Sequence, residues 1–469
     1  MKGIKILSVL IFLAATVSAQ ETTRSLSLQD AIDYAIKNSY DAKAAENDIA
    51  SAKKRVWETT TIGLPQIDAK VDYQNWIKQQ VSLLPAAAFD NTSSVVETVE
   101  QYFGITPTGT PTAPEGFLPL TFGTKQNLNA TITLRQLLFD GSYLVGLQSA
   151  RTFLKISEQA KEKTEQGVRE AVINAYGNVL IAEKSIEILE NNKRILEKNL
   201  SETKKIFENG LNEEEDVEQL EITLGNVSSQ LNNVKRMKAI AYQMLNITLG
   251  SSIGTQLILT DSLDSLTERN INFGLISQQF NLNNHIDFKI AENDRESKRL
   301  LMRYEQSKAL PTLSAFVNYG TTANSDSFSF FNSNQQWFNS SLLGVSLNVP
   351  IFSSFQRRSK TAQAKIALET ADIRLEETKQ KLNLQAEKAK SDYQLSIENY
   401  QTAKKNVSLA ERIENKQRIK FFEGLSSSFE LTQAQNQLYT QQQSYIQSML
   451  DVIAKKAALE TALNIKQNN

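Results

Sequence analysis

Apolar residues recur along this chain with two periods, and the two alternate twice. From Val168, steps of four and three fall on Val172, Ala175, Val179, Ala182, Ile186, Leu189, Lys193, Leu196, Leu200, Thr203 and Phe207. All but Lys193 and Thr203 are apolar, which predicts a long helix with a coiled-coil seam. A second seam runs through Leu382, Ala386, Ala389, Tyr393, Ser396, Tyr400, Ala403, Val407, Ala410, Glu414, Gln417 and Phe421, with smaller residues and a glutamate in it. A descending partner of the first follows at Val217, Leu220, Leu224, Val227, Leu231 and Val234. Between the limbs lie Asn209-Gly210-Leu211 and Glu423-Gly424-Leu425, where a glycine at positive φ ends a helix and lets the chain reverse. Each half therefore holds an αα-hairpin, over about 143–248 and about 356–464, with no proline inside either. An ascending limb of about 66 residues makes a rod on the order of 100 Å, which has to pack against other rods.

Period two appears elsewhere. Ile67, Ala69, Val71 and Tyr73 alternate with Asp68, Lys70 and Asp72, and Leu128, Ala130, Ile132 and Leu134 alternate with Asn129, Thr131, Thr133 and Arg135. The second half repeats this with Leu313, Ala315, Val317 and Tyr319 and with Leu343, Val345, Leu347 and Val349. Strands are expected over 64–78, 127–139, 311–321 and 341–351. Each has the length and alternation of a transmembrane β-strand, although a half-buried sheet in a soluble protein gives the same pattern.

The halves are copies of one another. Asn38, Asp41, Lys43 and Ala45-Glu46-Asn47-Asp48 recur 246 positions later as Asn284, Asp287, Lys289 and Ala291-Glu292-Asn293-Asp294. Leu64-Pro65 recurs as Leu310-Pro311 at the same offset, whereas Phe139 and Phe352 are 213 apart and Gly210 and Gly424 are 214 apart. The first half thus carries about 33 additional residues, placed in 79–126, which hold five of the eight prolines and read as a long irregular loop. This divides the chain into a leader (1–19), a first repeat (20–250) and a second repeat (251–469) that starts with a linker over about 251–283.

Composition narrows the compartment. Lys2 and Lys5 precede an apolar run that ends in Val17-Ser18-Ala19, the pattern of a cleavable export signal, too short to span a bilayer. No later apolar run reaches spanning length, so any membrane crossing falls to β-strands closed into a barrel. Four strands are too few for one, and copies of the chain have to contribute jointly. Without cysteine there is no disulfide, thiolate nucleophile or lipid-bearing N-terminal cysteine. Removing Lys2 and Lys5 leaves 49 basic against 52 acidic residues, a balance that gives no argument for nucleic acid.

The strand-flanked duplication, the Leu-Pro strand starts, the Gly-Leu turns at 210 and 424 and the closing Leu249-Gly250 and Leu463-Asn464 together resemble the TolC family of outer-membrane efflux proteins, across essentially the whole mature chain. The resemblance implies a fold that mixes long α-helical hairpins with a transmembrane β-barrel, in a homotrimer with twelve barrel strands and an α-helical periplasmic tunnel. It also implies a mixed domain built from about 250–283 and the C-terminal tail. The implied function is a passive exit duct for efflux or type I secretion. Its implied partners are a periplasmic adaptor, an inner-membrane transporter of RND, ABC or MFS type and outer-membrane lipid.

By the same resemblance the adaptor docks at the helix-turn tips, at Gly210, Leu211, Gly424 and Leu425. The family closes its entrance with a tyrosine, an arginine and two aspartates around the second turn; the matching positions are Phe421, Ser426, Glu430 and Gln433, so a single acid remains. Acid is concentrated instead at the first turn, in Glu213-Glu214-Glu215-Asp216. These four, with Glu430 and Gln433, are the aperture candidates, although acids also favour any helix start through its dipole. No cofactor, metal site or catalytic group is expected: His285 is the lone histidine, and no phosphate-binding or zinc motif occurs. A periplasmic coiled-coil adaptor or a structural protein without a barrel is the alternative that shares the hairpins, and the strands discriminate.

Overall fold

The computed structural model describes residues 24–465 other than 106, 107 and 109–114, so the expected leader over 1–19 lies outside the described residues. In chain order the elements are β1 (Arg24–Leu26), α1 (Leu28–Asn38), α2 (Tyr40–Thr61), β2 (Gln66–Asn75), β3 (Val81–Pro85), α3 (Thr92–Phe103), β4 (Phe117–Thr121), β5 (Gln126–Asp140), α4 (Gly141–Glu208) and α5 (Glu214–Leu249). There follow β6 (Leu257–Leu259), α6 (Leu263–Arg269), α7 (Ile286–Ser307), β7 (Thr312–Ser325), β8 (Phe338–Asn348), α8 (Gln356–Phe422) and α9 (Ser428–Ala462). The duplication is carried into the elements: α2 and α7 start and end 246 positions apart, and the glycines at 210 and 250 have Gly424 and Asn464 as counterparts 214 positions on, all four at positive φ.

Two compact units form. One comprises Met1–Arg55, Ser149–Met302 and Gln363–Asn469, the other Val56–Gln148 and Arg303–Ala362. Each takes pieces of both repeats, so the units cut across the boundary expected near residue 250.

In the helical unit the seams are buried as their spacing requires. Val168, Val172, Val179, Leu189 and Leu196 from α4 are buried, as are Leu382, Ala386, Tyr393, Tyr400 and Phe421 from α8. Residues 251–283 form β6, α6 and two 3-10 turns, and β6 pairs parallel with β1. The N-terminal segment is thus part of the mixed region, a contribution its short strand does not announce in sequence. Two buried tyrosines fasten this region: the Tyr176 hydroxyl donates to Leu26 O at 3.1 Å, and the Tyr393 hydroxyl donates to Asn270 O at 2.6 Å. At Gly250, φ is +73° and an added Cβ would lie 2.2 Å from Asn38 O, so backbone passes where no side chain fits.

The second unit is built on an antiparallel sheet of order β2-β5-β7-β8. Residues 79–126 differ from the irregular loop expected. β3 pairs antiparallel with β4, and α3 ends on Gly104 at φ 62°. Pro85 and Pro119 fit a two-stranded ribbon because, among the described residues, neither ladder edge beyond them is used. The prolines outweigh, in sequence, the helical spacing of Val95, Val96, Val99, Tyr102 and Phe103.

Candidate functional site

The sheet separates its side chains by chemistry. Pairing places Ile67, Leu134, Val317 and Leu343 in one row and Ala69, Ile132 and Tyr319 in another, all on one face. The opposite face carries Asp68, Thr133 and Asn318 in one row, which ends on Leu342, and Lys70, Thr131, Gly320 and Ser340 in another. Polar contacts hold that face: Arg135 pairs with Asp68 at 3.5 Å, Asn127 donates to Asn324 at 2.7 Å, and the Thr133 hydroxyl donates to Asn318. Among the described residues nothing covers the apolar face; Val71 is 68% and Leu343 73% exposed. A continuous apolar face of this extent marks a surface that meets lipid or another protein. Both outer strands, β2 and β8, also have one edge unpaired among the described residues.

At the hairpin tips, local chemistry explains the reversal. Gly210 N donates to Phe207 O and Leu211 N to Ile206 O, while Gly424 N donates to Phe421 O and Leu425 N to Lys420 O. Both are Schellman closures with glycine at the left-handed position, φ 73° and 72°. Leu211 and Leu425 emerge beyond the closure, each 76% exposed, and Phe429 is exposed beside the second.

The aperture candidates divide. Glu213 is the N-cap of α5 without a side-chain cap bond, and Glu214, Glu215 and Asp216 occupy its first turn. Glu213, Glu214 and Glu215 are exposed and Asp216 half-buried. Glu430 is committed locally: its carboxylate accepts from the Ser426 hydroxyl at 2.7 Å and from Ser427 N, while the Ser427 hydroxyl accepts from Glu430 N. The Ser426 hydroxyl, then the Ser427 N–H, hold the Glu430 carboxyl below its usual range. Ser427-x-x-Glu430 is a capping box legible in sequence. Gln433 is exposed on α9. Among the described residues no hydrogen bond or ion pair joins 210–216 to 424–433.

Below the tips the hairpins pack through Leu196, Leu220, Phe421 and Leu431, and polar groups are trapped beside this cluster. Asn199 Nδ2, Thr203 Oγ1 and Thr432 Oγ1 are buried without a hydrogen-bond partner among the described residues. Glu414, the glutamate of the second seam, is buried here. Burial pushes its carboxyl up, opposed by the Arg418 charge and by Gln435 facing it from α9, and the Glu414 charge adds to the upward shift that burial gives the Tyr439 hydroxyl. The folded chain therefore keeps a proton on Glu414 that the unfolded chain has released, and stability falls as pH rises above the usual carboxylate range, until the folded-state pKa is passed. Glu414→Gln should flatten that dependence and stabilise the hairpin ends by about 1 kcal/mol at neutral pH. Hydrogen exchange of α8 and α9 amides across a pH series measures this, and a slope equal to wild type would show that Glu414 ionises freely.

The comparisons agree with this geometry. TolC of Vibrio cholerae serotype O1 is 26% identical over 261 residues, covering 53% of this chain and 56% of that protein. The match thus spans little more than half of that curated relative. The solved structure of VceC from Vibrio cholerae, an outer membrane protein, superposes with a TM-score of 0.66 at 15% identity, covering 93% of this chain and 95% of that one. The Campylobacter jejuni CmeC outer membrane channel gives 0.66 at 16% identity, covering 93% and 85%. At such identities the likeness is one of fold: long helices with antiparallel strands, as in TolC-like channels. The sequence model described as "Outer membrane efflux protein" matches residues 31–251 and 278–464, leaving out the mixed linker between the repeats. With both halves of the duplication inside that match, the chain belongs to the outer membrane efflux protein family.

Proposed function

We propose that this protein is a passive exit duct of the outer membrane, the last stage of a tripartite efflux or type I secretion system. The observation that carries this is the uncovered apolar face of β2, β5, β7 and β8, together with the free edges of β2 and β8. Three copies joined edge to edge supply twelve strands, enough to close a barrel with the apolar face toward lipid and the Asp68, Lys70 and Thr131 face toward water. A periplasmic adaptor has no use for such a sheet. Residues 1–19 act as the export signal.

The hairpins reach into the periplasm, where Leu211 and Leu425, presented by Gly210 and Gly424, meet an adaptor that couples the duct to an inner-membrane transporter of RND, ABC or MFS type. The first turn supplies the constriction. Glu213, Glu214, Glu215 and Asp216, present three times around one axis, attract cations and repel anions, and a low-dielectric wall strengthens the effect. Glu430 contributes less because its carboxylate is held by its own cap, and neutral Gln433 adds no charge.

Recording from the purified protein in planar bilayers tests both statements. Conductance with cation selectivity is expected, and the variant E213Q/E214Q/E215Q/D216N should lose most of that selectivity. Absence of conductance would overturn the duct. Unchanged selectivity in that variant, with a change in Glu430→Gln, would place the constriction at the second turn.

A further inference from the structure

The apolar face of β8 does not stop with the strand. Leu343, Val345 and Leu347 are followed by Val349 and Ile351 at the same spacing, and then by Phe352 and Phe355, whose rings meet edge to face at 6.0 Å. Ile351 is 89%, Phe352 75% and Phe355 65% exposed. Ser354 and Phe355 both take left-handed backbone, φ 47° and 62°, a conformation disfavoured for residues other than glycine. The chain thus holds a strained turn that leaves two aromatic rings outside the protomer.

Directly after them come Arg357, Arg358 and Lys360. Arg357 Nη2 donates to Ile351 O at 3.4 Å, which ties the guanidinium to the strand end. Arg358 and Lys360 are exposed, and none of the three joins an ion pair among the described residues. No acidic residue occurs between Asp326 and Glu369. The helix dipole gives no reason for these cations, because its N-terminal end is itself positive. The equivalent turn of the first half carries Asp140 and has no cation before Arg151, so the charge belongs to one strand end of the protomer.

We propose that Ile351, Phe352 and Phe355 with Arg357, Arg358 and Lys360 form a binding surface for anionic phospholipid in the leaflet that meets the C-terminal end of β8. The proposal rests on the membrane reading above. The rings sit at the acyl boundary, as aromatic girdles of barrels do, and the cations lie one step further out, level with the phosphates. Basic side chains beside the membrane are drawn to an anionic surface, and three solvent-screened cations predict a preference of about three- to tenfold for anionic over zwitterionic lipid.

The full-length protein reconstituted with spin-labelled phosphatidylglycerol or phosphatidylcholine of matched chains reports this directly, as the fraction of motionally restricted label. Wild type should favour phosphatidylglycerol, R357Q/R358Q/K360Q should bind the two equally, and R357K/R358K should keep most of the preference. Inorganic phosphate in the buffer should not compete; if it abolishes the preference, the site belongs to free phosphate and the proposal fails. Equal restriction of both lipids by wild type, or a preference surviving in the triple glutamine variant, overturns the lipid surface and leaves the barrel intact. Absence of any restricted label with either lipid would show that the sheet does not enter the membrane, and both readings would fall.

Discussion

Val317→Arg should prevent insertion into the outer membrane, whereas Ser346→Arg on the neighbouring strand should be tolerated. Val317 lies mid-strand in the apolar row with Leu134 and Leu343, while Ser346 pairs with Ser314 on the polar face. An arginine on the lipid face near the bilayer midplane costs about 2–4 kcal/mol, and a threefold assembly incurs that cost three times. On the polar face the same side chain stays in water. The measurement is the amount of detergent-extracted trimer in outer-membrane fractions. Equal recovery of the two variants would mean that the exposed apolar face meets something other than lipid, and the barrel would have to be abandoned.

Export should fail, with the trimer intact, when Leu211 and Leu425 are both replaced by glutamate. Each closes its hairpin through backbone bonds, Leu211 N to Ile206 O and Leu425 N to Lys420 O, so the change of side chain leaves the turn in place. Their exposed side chains contribute little to the fold. At the centre of the proposed adaptor contact they would be anchors, and a loss of about 2 kcal/mol for each corresponds to roughly 30-fold weaker docking. Export of a fluorescent efflux substrate, read alongside trimer abundance, separates docking from folding. Normal export by the double variant would remove both leucines from the docking surface.

The candidate sites were legible to different depths. The glycine turns were readable because positive φ is a local demand that a glycine beside a helix end announces. The capping box at Ser427 and Glu430 was equally local, and it assigns to helix closure a carboxylate that resemblance offers to the entrance. Glu414 was readable as a seam position, but its neighbours were not: Gln435 comes from α9 and Arg418 lies one turn on along α8, and only the packing of the two helices makes that glutamate costly to ionise.

Periodicity alone determined the two αα-hairpins and the four long strands, because each depends on spacing along one long segment, while the recurrence of residues at fixed offsets determined the duplication. The same spacing fixed which strand residues share a face. What covers that face was not in the sequence, since alternation is identical in a soluble sheet and in a barrel wall. The tertiary structure adds that Val71 and Leu343 are uncovered by the described residues and that all four strands join in one sheet with two free edges. It also decided that β1 at the N-terminus pairs with β6 more than two hundred residues away and that the proline-rich insert holds a ribbon and a helix. Strands of three to five residues are too short to show a period, and their pairing depends on which distant backbone has unused hydrogen-bonding groups, a property of the folded chain rather than of any one segment.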